Sequence, residues 1–511
     1  MTSVILGIDI GTSGCKALLL DPQGRVIAAD TATYGLSQPR PGWTEQDPEL
    51  WIEGARAAVA GALAKAGAVE ILAVGLSGQM HGLTPLDADM NVLRPALLWN
   101  DQRNAAECAE ITEAAGGLEG MLAAVNNRML IGYTGGKIVW MQRHEPELFA
   151  RLRHVLNPKD YLRFRLTGER ATEVSDASGT GLFDVRTRRW ADDLIGRIGI
   201  DARLLPPAHE SHVITGRIDA RGAALFGLPA GIPVAGGGGD SVIQTIGSGV
   251  IAPGELQTTI GTAGILAAAL DAPQPNPDGR LQVFCNVAPD KWHCMGVSMN
   301  AGGAMGWFRQ VMTAGFGTGA LPAFDEIVAE AAASPAGARG LLFLPYLNGE
   351  RCPHPDPQAR GAFVGLTARH TRGDVARSVM EGVVHAFVDM YALMRPMGIA
   401  GTIVKASGGG ARSPLWRQMQ ADMFGCDVVT TEGAAEGAAF GAALVAGVGI
   451  GIWPDAGTAA ATCRDLTREH PTADAGRIYA RANDIYRGLY SALRESFVAL
   501  SDPAFEGGAD V

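Results

Sequence analysis

Two carboxylates stand where the chain turns sharply. Asp9 closes the apolar residues 4–8, directly before the turn Gly11-Thr12-Ser13-Gly14. Asp240 follows four consecutive glycines, 236–239, after the apolar residues 232–235. A strand-end carboxylate beside a glycine turn can hold a Mg2+ that neutralises polyphosphate charge. A carboxylate after a stretch without side chains is the first group able to accept the proton of an attacking hydroxyl. The alternative for each is an Asx-turn or a helix N-cap.

Loops rich in Gly, Ser and Thr at strand ends can aim several backbone N–H groups at one anion. Four such loops occur, at residues 11–14, 236–239, 261–264 and 408–410. Together they point to a nucleotide. The two standard fingerprints are absent. No strict G-x-G-x-x-G exists, and the alanine-ended form at residues 315–320 follows an expected helix instead of a strand. No G-x-x-x-x-G-K-[ST] exists either, since Lys137 after Gly136 is followed by Ile138.

These groups need elements to place them. Residues 4–9, 16–21 and 25–29 read as a β-meander. Asp47 caps a helix with Pro48 at its first position, running to about residue 66. A strand at 71–76 ends in Ser77-Gly78-Gln79-Met80-His81-Gly82. The same order returns later, with strands at 255–259, 265–270, 281–287 and 291–297 and a helix from about 301. The turns Gly11-Thr12-Ser13-Gly14 and Gly261-Thr262-Ala263-Gly264 sit in equivalent places. This reads as an α/β chain with a duplicated domain, its boundary near residues 245–255. The expected domains are 1–248 and 249–511. Further on come a helix at 371–395, a strand at 401–406, a helix capped by Ser413 with Pro414 first, and a strand at 426–431. Residues 271–279 and 315–319 read as loops. The uncharged run 437–453, opened by Glu436, is at the short limit for a membrane span. It is expected to be a buried helix packed against another backbone through Gly437 and Gly441.

Composition bounds the function. Of 511 residues, 68 are glycine, close to twice the usual share of ~7 percent. Charged residues are 19 percent and hydrophobic ones 47 percent, which excludes a disordered chain. A net charge of −11 gives no electrostatic case for nucleic acid, and no basic amphipathic helix suggests a membrane surface. The seven cysteines are scattered without a C-x-x-C, which fits reduced thiols in a cytoplasmic protein and argues against structural zinc. The N-terminus lacks a basic start and meets Asp9, so no secretory leader is expected.

Several motifs, in order along nearly the whole chain, resemble the FGGY family of carbohydrate kinases. They include Gly7-Ile8-Asp9-Ile10-Gly11-Thr12-Ser13, Trp43-Thr44-Glu45-Gln46-Asp47-Pro48, Gly78-Gln79-Met80-His81-Gly82 and Leu98-Trp99-Asn100-Asp101-Gln102-Arg103. Pro158-Lys159-Asp160-Tyr161-Leu162, Ser175-Asp176-Ala177-Ser178-Gly179-Thr180, Gly237-Gly238-Gly239-Asp240, Pro345-Tyr346-Leu347-Asn348-Gly349-Glu350-Arg351 and Ser407-Gly408-Gly409-Gly410-Ala411-Arg412 continue the match. The resemblance implies two actin-like, ribonuclease-H-like domains closing over a cleft, with ATP and Mg2+ as cofactors. Within the family the Q-M-H-G stretch implies a ketose acceptor, D-xylulose, phosphorylated at its terminal hydroxyl. Ribulose, erythrulose or a polyol is the alternative, and a catalytically silent sugar sensor or an actin-like polymerising ATPase is a more distant one. The expected partners are therefore a small ketose and ATP, with no nucleic acid and no membrane; a homodimer is left open.

The resemblance also implies roles. Asp240 matches the catalytic base and Asp9 the Mg2+-orienting carboxylate. Thr12, Ser13, Gly14 and Lys16 match the first phosphate loop, and Gly261 and Thr262 the second. Gly302, Gly409, Gly410 and Ser413 match positions around the rest of the nucleotide. Gln79, Met80 and His81 match the sugar site, with Trp99, Asn100, Asp101 and Ser241 beside it. Three departures stand out. Ser241 replaces a commoner asparagine, the second loop reads G-T-A-G for G-T-S-G, and Tyr133-Thr134-Gly135-Gly136-Lys137 replaces a loop that carries Ala-Pro before its lysine. The first and third bear on which sugar is used.

Overall fold

The computed structural model describes residues 2–313 and 321–502. The loop expected at 315–319 lies outside them. The chain divides into two compact units. The first holds Met1–Ala252, Ala269–His293 and Glu436–Arg464; the second holds Pro253–Ala268, Cys294–Ala435 and the chain from Asp465 onward. Residues 249–252, 269–293 and 436–464 of the range 249–511 therefore group with the first unit instead of the second.

In the first unit, β1 (Thr2–Ile10), β2 (Gly14–Leu20) and β3 (Val26–Thr33) form the antiparallel meander. Helix α1 (Pro48–Ala66) starts where Asp47 accepts from Glu49 N–H and stops at Gly67, whose φ is 73°. Its buried Trp51, Ala55, Ala58, Val59 and Ala62 recur at helical spacing and cover one face of the sheet. Strand β4 (Val69–Gly78) returns parallel to β1. Helices α2 (Pro158–Thr167) and α3 (Val174–Ser178) follow. Strands β5 (Ile214–Arg217), β6 (Pro233–Ala235) and β7 (Gly238–Gly239) then lead into α4 (Asp240–Gly247). The sheet order is β5-β6-β4-β1-β2-β3, with β7 also paired to β4.

The uncharged run becomes the buried helix Ala438–Gly449. Gly7 and Gly75 are register partners on β1 and β4. A Cβ on either would lie 2.0 Å from Ala439 O or 1.9 Å from Ala442 O, so the paired glycines form the seat on which this helix rests. Gly441 also makes a close approach, its added Cβ falling 2.2 Å from Ile243 O of α4. Gly437 does not pack as expected: it is the N-cap at φ 73° with nothing within 4 Å of its added Cβ. Its job is conformational, because the break after the helical turn Glu432–Glu436 needs a positive φ. Among the described residues no helix is long and apolar enough to cross a membrane.

The second unit repeats the plan. Strands β8 (Glu255–Ile260) and β9 (Gly264–Leu270) make an antiparallel hairpin, and β10 (Trp292–Ser298) lies beside β9. Helices α5 (Gly302–Thr313) and α6 (Arg372–Met394) follow, the latter opened by a Thr371/Asp374 capping box. Strand β11 (Ile403–Ser407) runs parallel to β8; then come α7 (Pro414–Phe424), β12 (Asp427–Thr431), β13 (Asp465–Glu469) and α8 (Ala473–Leu500). These six stand in the order β10-β9-β8-β11-β12-β13 within a seven-stranded sheet. Each sheet thus centres on a strand with a hairpin partner on one side and a parallel partner on the other: β2-β1-β4 and β9-β8-β11. This is the duplicated α/β core expected from the repeated turns.

Candidate active site

Strand register assembles the first carboxylates. Asp9 is opposite Lys16 on β2 and Ser77 on β4, and Ser77 is opposite Gly238 on β7. Asp240 lies two residues past Gly238, at the first position of α4. The glycines before it are buried against protein. A Cβ at Gly237, whose φ is 75°, would sit 2.0 Å from Leu76 O, and one at Gly239 would sit 2.6 Å from Met80 Sδ. The run 236–239 is therefore not an exposed anion cradle, as its composition suggested. It lets the chain pass between β4 and Met80 and set Asp240 down beside them.

Burial pushes the Asp240 carboxyl up to about 7; the negative charge of Asp9 adds to the rise, and the Ser241 N–H opposes it. That N–H donates to Oδ1 at 2.7 Å. Asp9 is also raised by burial, against the Ser77 hydroxyl and the Lys16 charge. Ser77 Oγ donates to Asp9 Oδ1 at 2.8 Å. A buried charge network braces the strand that carries Asp240. Gly239 N–H donates to Ser175 Oγ at 3.0 Å, and Ser175 Oγ donates to Glu173 Oε1 at 2.8 Å. Lys159 Nζ lies 3.7 Å from Glu173, 3.4 Å from Asp176 and 2.5 Å from Asp160, all of them buried. Burial raises Asp176, with Lys159 opposing.

The residues expected at the sugar fall into three groups. Met80, His81 and Ser241 gather near Asp240: Ser241 Oγ lies 3.1 Å from Met80 Sδ, and both Met80 and His81 crowd Gly179. Gln79 and Trp99 are hydrogen-bonded to Thr12 of the turn at 11–14. Trp51 Nε1 donates to Gln46 Oε1 at 2.6 Å, Gln79 Nε2 donates to the same oxygen at 3.1 Å, and Thr12 Oγ1 donates to Gln79 Oε1 at 3.2 Å. Trp99 Nε1 then donates to Thr12 Oγ1 at 3.0 Å. Asp101 is fully buried and committed to Arg103, at 2.8 Å, and to Thr44 N–H, at 2.6 Å. It ties residues 101–103 to Thr44. Asn100 Oδ1 is buried with no hydrogen-bond partner among the described residues.

The first loop is closed by Gly11 N–H donating to Gly14 O at 2.9 Å and leaves Ser13 exposed. Lys16 is not unpaired there: its Nζ lies 2.7 Å from Glu436 Oε2 and 3.0 Å from Glu436 O.

In the second unit Gly261 N–H donates to Ala263 O, and Thr262 is exposed. Gly302 N–H donates to Gly261 O at 2.7 Å, where a Cβ would collide at 2.6 Å, so this loop rests on the start of α5. Gly408 takes a φ of 77° with its added Cβ 2.7 Å from Ile260 O. Gly410 is packed on the Ile260 side chain, and Ser413 accepts from Trp416 N–H as the cap of α7. Gly408 and Gly409 line a cavity of about 600 Å3 with Arg412, Thr430, Leu466 and Thr467. Of the residues expected around the nucleotide, Gly409 is the one on this cavity; Gly410 and Ser413 support its wall.

Sequence reasoning left Gln46, Ser77, Glu173 and Lys159 without roles. Each lies in or beside a quoted motif, but only folding brings their partners together.

Models of the FGGY family of carbohydrate kinases match this chain, the N-terminal domain over residues 4–247 and the C-terminal domain over 256–450. A protein named "Xylulose kinase" from Escherichia coli is 40% identical over 420 residues, covering 82% of this chain and 84% of that protein. Another so named, from Bacillus subtilis, is 36% identical over 499 residues, covering 97% and 98%. A crystal structure of a "xyloylose kinase" from Brucella ovis superposes with a TM-score of 0.89 at 36% identity, over 96% of this chain and 99% of that one. With both domains matched in order on the duplicated fold described above, this chain belongs to the FGGY family of carbohydrate kinases.

Proposed function

We propose that this chain transfers the γ-phosphoryl group of ATP to the terminal hydroxyl of D-xylulose, giving D-xylulose 5-phosphate. The observation that carries the reading is Asp240, a half-buried carboxylate held near pKa 7 beside Asp9. A base poised there combines a large deprotonated fraction at neutral pH with enough basicity to take a hydroxyl proton. Met80, His81 and Ser241, gathered around it, are assigned to the sugar. Ser13, Gly14, Lys16, Gly261, Thr262 and the Gly409 cavity are assigned to the nucleotide. The relatives named for xylulose support the choice of acceptor.

Asp9 fits Mg2+ on its own terms. Burial has raised its pKa, and its charge raises Asp240, so a divalent cation beside it relieves an unfavourable pair. Among the described residues no group of three His, Cys, Asp or Glu could by itself hold a metal ion. One carboxylate, with phosphate oxygens and water, is the usual Mg2+ environment. The ion, when bound, neutralises charge on the transferring phosphate. Lys16 then exchanges Glu436 for a phosphate oxygen. Among the described residues the cysteines form no disulfide, which supports a cytoplasmic setting.

A second reading, phosphorylation of ribulose, erythrulose or a polyol, draws on Ser241, whose hydroxyl is turned to Met80 Sδ. ADP release measured over a panel of pentuloses, tetruloses and polyols decides between them. Highest kcat/KM on D-xylulose is expected. A tenfold preference for another acceptor transfers the assignment to it, and silence on all of them leaves the sensor reading, to be checked by sugar binding.

A further inference from the structure

Lys137 lies in the first turn of the helix Thr134–His144, and none of its side chain reaches solvent. This is a costly place for an ammonium group, which loses hydration and meets the positive end of the helix dipole. Burial drags its pKa down to about 7; Asp101 and Cys108 oppose the shift, and Arg103 adds to it. Asp101 is already bound to Arg103. The two hydrogen bonds of Lys137 Nζ go to backbone carbonyls, His81 O at 2.8 Å and Gly132 O.

The carbonyl of His81 receives a second donor from the same turn, Thr134 Oγ1 at 3.1 Å. His81 holds a φ of 69°, a conformation that side-chain-bearing residues adopt rarely and at a cost. Its ring is located from the other side by Gly179 O, 2.6 Å from Nδ1, and by the Tyr133 ring at a centroid distance of 4.7 Å. The helix can come this close because it opens with glycines. A Cβ at Gly136 would lie 2.4 Å from Cys108 Sγ and 2.5 Å from Asn104 Nδ2.

We propose that Lys137 is a positioning residue for sugar recognition: its ammonium clamps the His81 and Gly132 carbonyls, fixes the left-handed backbone of His81, and so aims the imidazole at the acceptor. This rests on the assignment of His81 to the sugar.

The test compares Lys137→Met, which keeps the length and loses the donors, with Lys137→Gln, which keeps donors for one carbonyl. Losing a charged hydrogen bond predicts a sugar KM raised ~10-fold or more in Lys137→Met, with the ATP KM within about twofold of wild type. Lys137→Gln is expected to recover part of the loss. A purely structural lysine would lower the melting temperature and the active fraction and leave the sugar KM in place, and that result overturns the proposal. Should Lys137→Met fail to fold, the same criteria apply to Lys137→Gln. Turnover by the wild type on the sugar panel is the control for the underlying reading. If the wild type turns over none, 1H–15N spectra of histidine-labelled protein still decide. The His81 amide resonance, assigned with His81→Asn, is expected to move in Lys137→Met; an unmoved resonance overturns the clamp.

Discussion

Ser77 Oγ donates a 2.8 Å hydrogen bond to Asp9 Oδ1 between register partners on the parallel strands β1 and β4. The bond favours the ionised form of a carboxyl that burial raises. Ser77→Ala removes it, so the Asp9 pKa climbs further and less carboxylate is present at a given pH. We expect kcat/KM to fall ~10-fold at the acid end of the activity profile and to recover toward wild type as pH rises. A loss that is equal across the whole profile would show that the bond does not act through ionisation.

Asp240→Asn should lower kcat by ~10²–10⁴, the range for loss of a general base, with sugar binding retained. In the wild type, kcat/KM should rise with pH and level off above about 7, where the base becomes ionised. Initial rates between pH 5 and 9 check this; an acid limb centred near 4 would point to a different group.

The same shift has a stability consequence. The folded pKa of Asp240, about 7, lies above the ~3.9 of an unfolded aspartate. The folded state therefore binds the extra proton between these values. The stability this contributes is full below the unfolded value and is lost as pH rises through 7. Asp240→Asn should match wild type near pH 4 and exceed it by up to ~4 kcal/mol at pH 8. Urea unfolding at the two pH values reads the difference.

Gly441→Ala should destabilise by ~1–3 kcal/mol and lower kcat, because its Cβ falls 2.2 Å from Ile243 O on α4, the helix that begins at Asp240. Gly437→Ala meets no atom and disturbs only a φ of 73°. It should cost ~1–3 kcal/mol without moving kcat. Equal effects of the two on kcat would separate α4 packing from catalysis.

Lys16 is held by Glu436 at 2.7 Å, both partly exposed. If Lys16 must leave Glu436 to meet phosphate, Glu436→Gln should lower the ATP KM by about twofold to fivefold, the scale of an exposed ion pair. A raised KM would mean that Glu436 holds Lys16 in its working position.

Much of the scaffold is legible from local chemistry. Asp47 and Pro48 mark the start of α1, and Ser413 and Pro414 the start of α7, because a cap and a fixed φ act over one turn. The two G-T-x-G turns reveal the duplication, since each hairpin needs its turn in the same place. Gly437 and Gly441 show the limit. They are four apart in one apolar run, yet one sets a positive φ and the other admits a carbonyl from α4. Which role a glycine has depends on what approaches it, and that is a property of the packing.

Asp9 at a strand end, Asp240 after four glycines, and the loops that carry Thr12, Thr262 and Gly409 are candidates that follow from the sequence by itself. These are short-range patterns, and their chemistry is carried by the side chains themselves. Only the tertiary structure decides which charges are paired and which are poised. Lys16 finds Glu436 across 420 positions, Gln79 turns to Thr12 and Gln46, and Asp101 is used by Arg103. Asp240 is left with one backbone N–H beside Asp9, and burial there raises its pKa. Desolvation and Coulomb energy depend on distances through space, and strand register and helix packing set those distances.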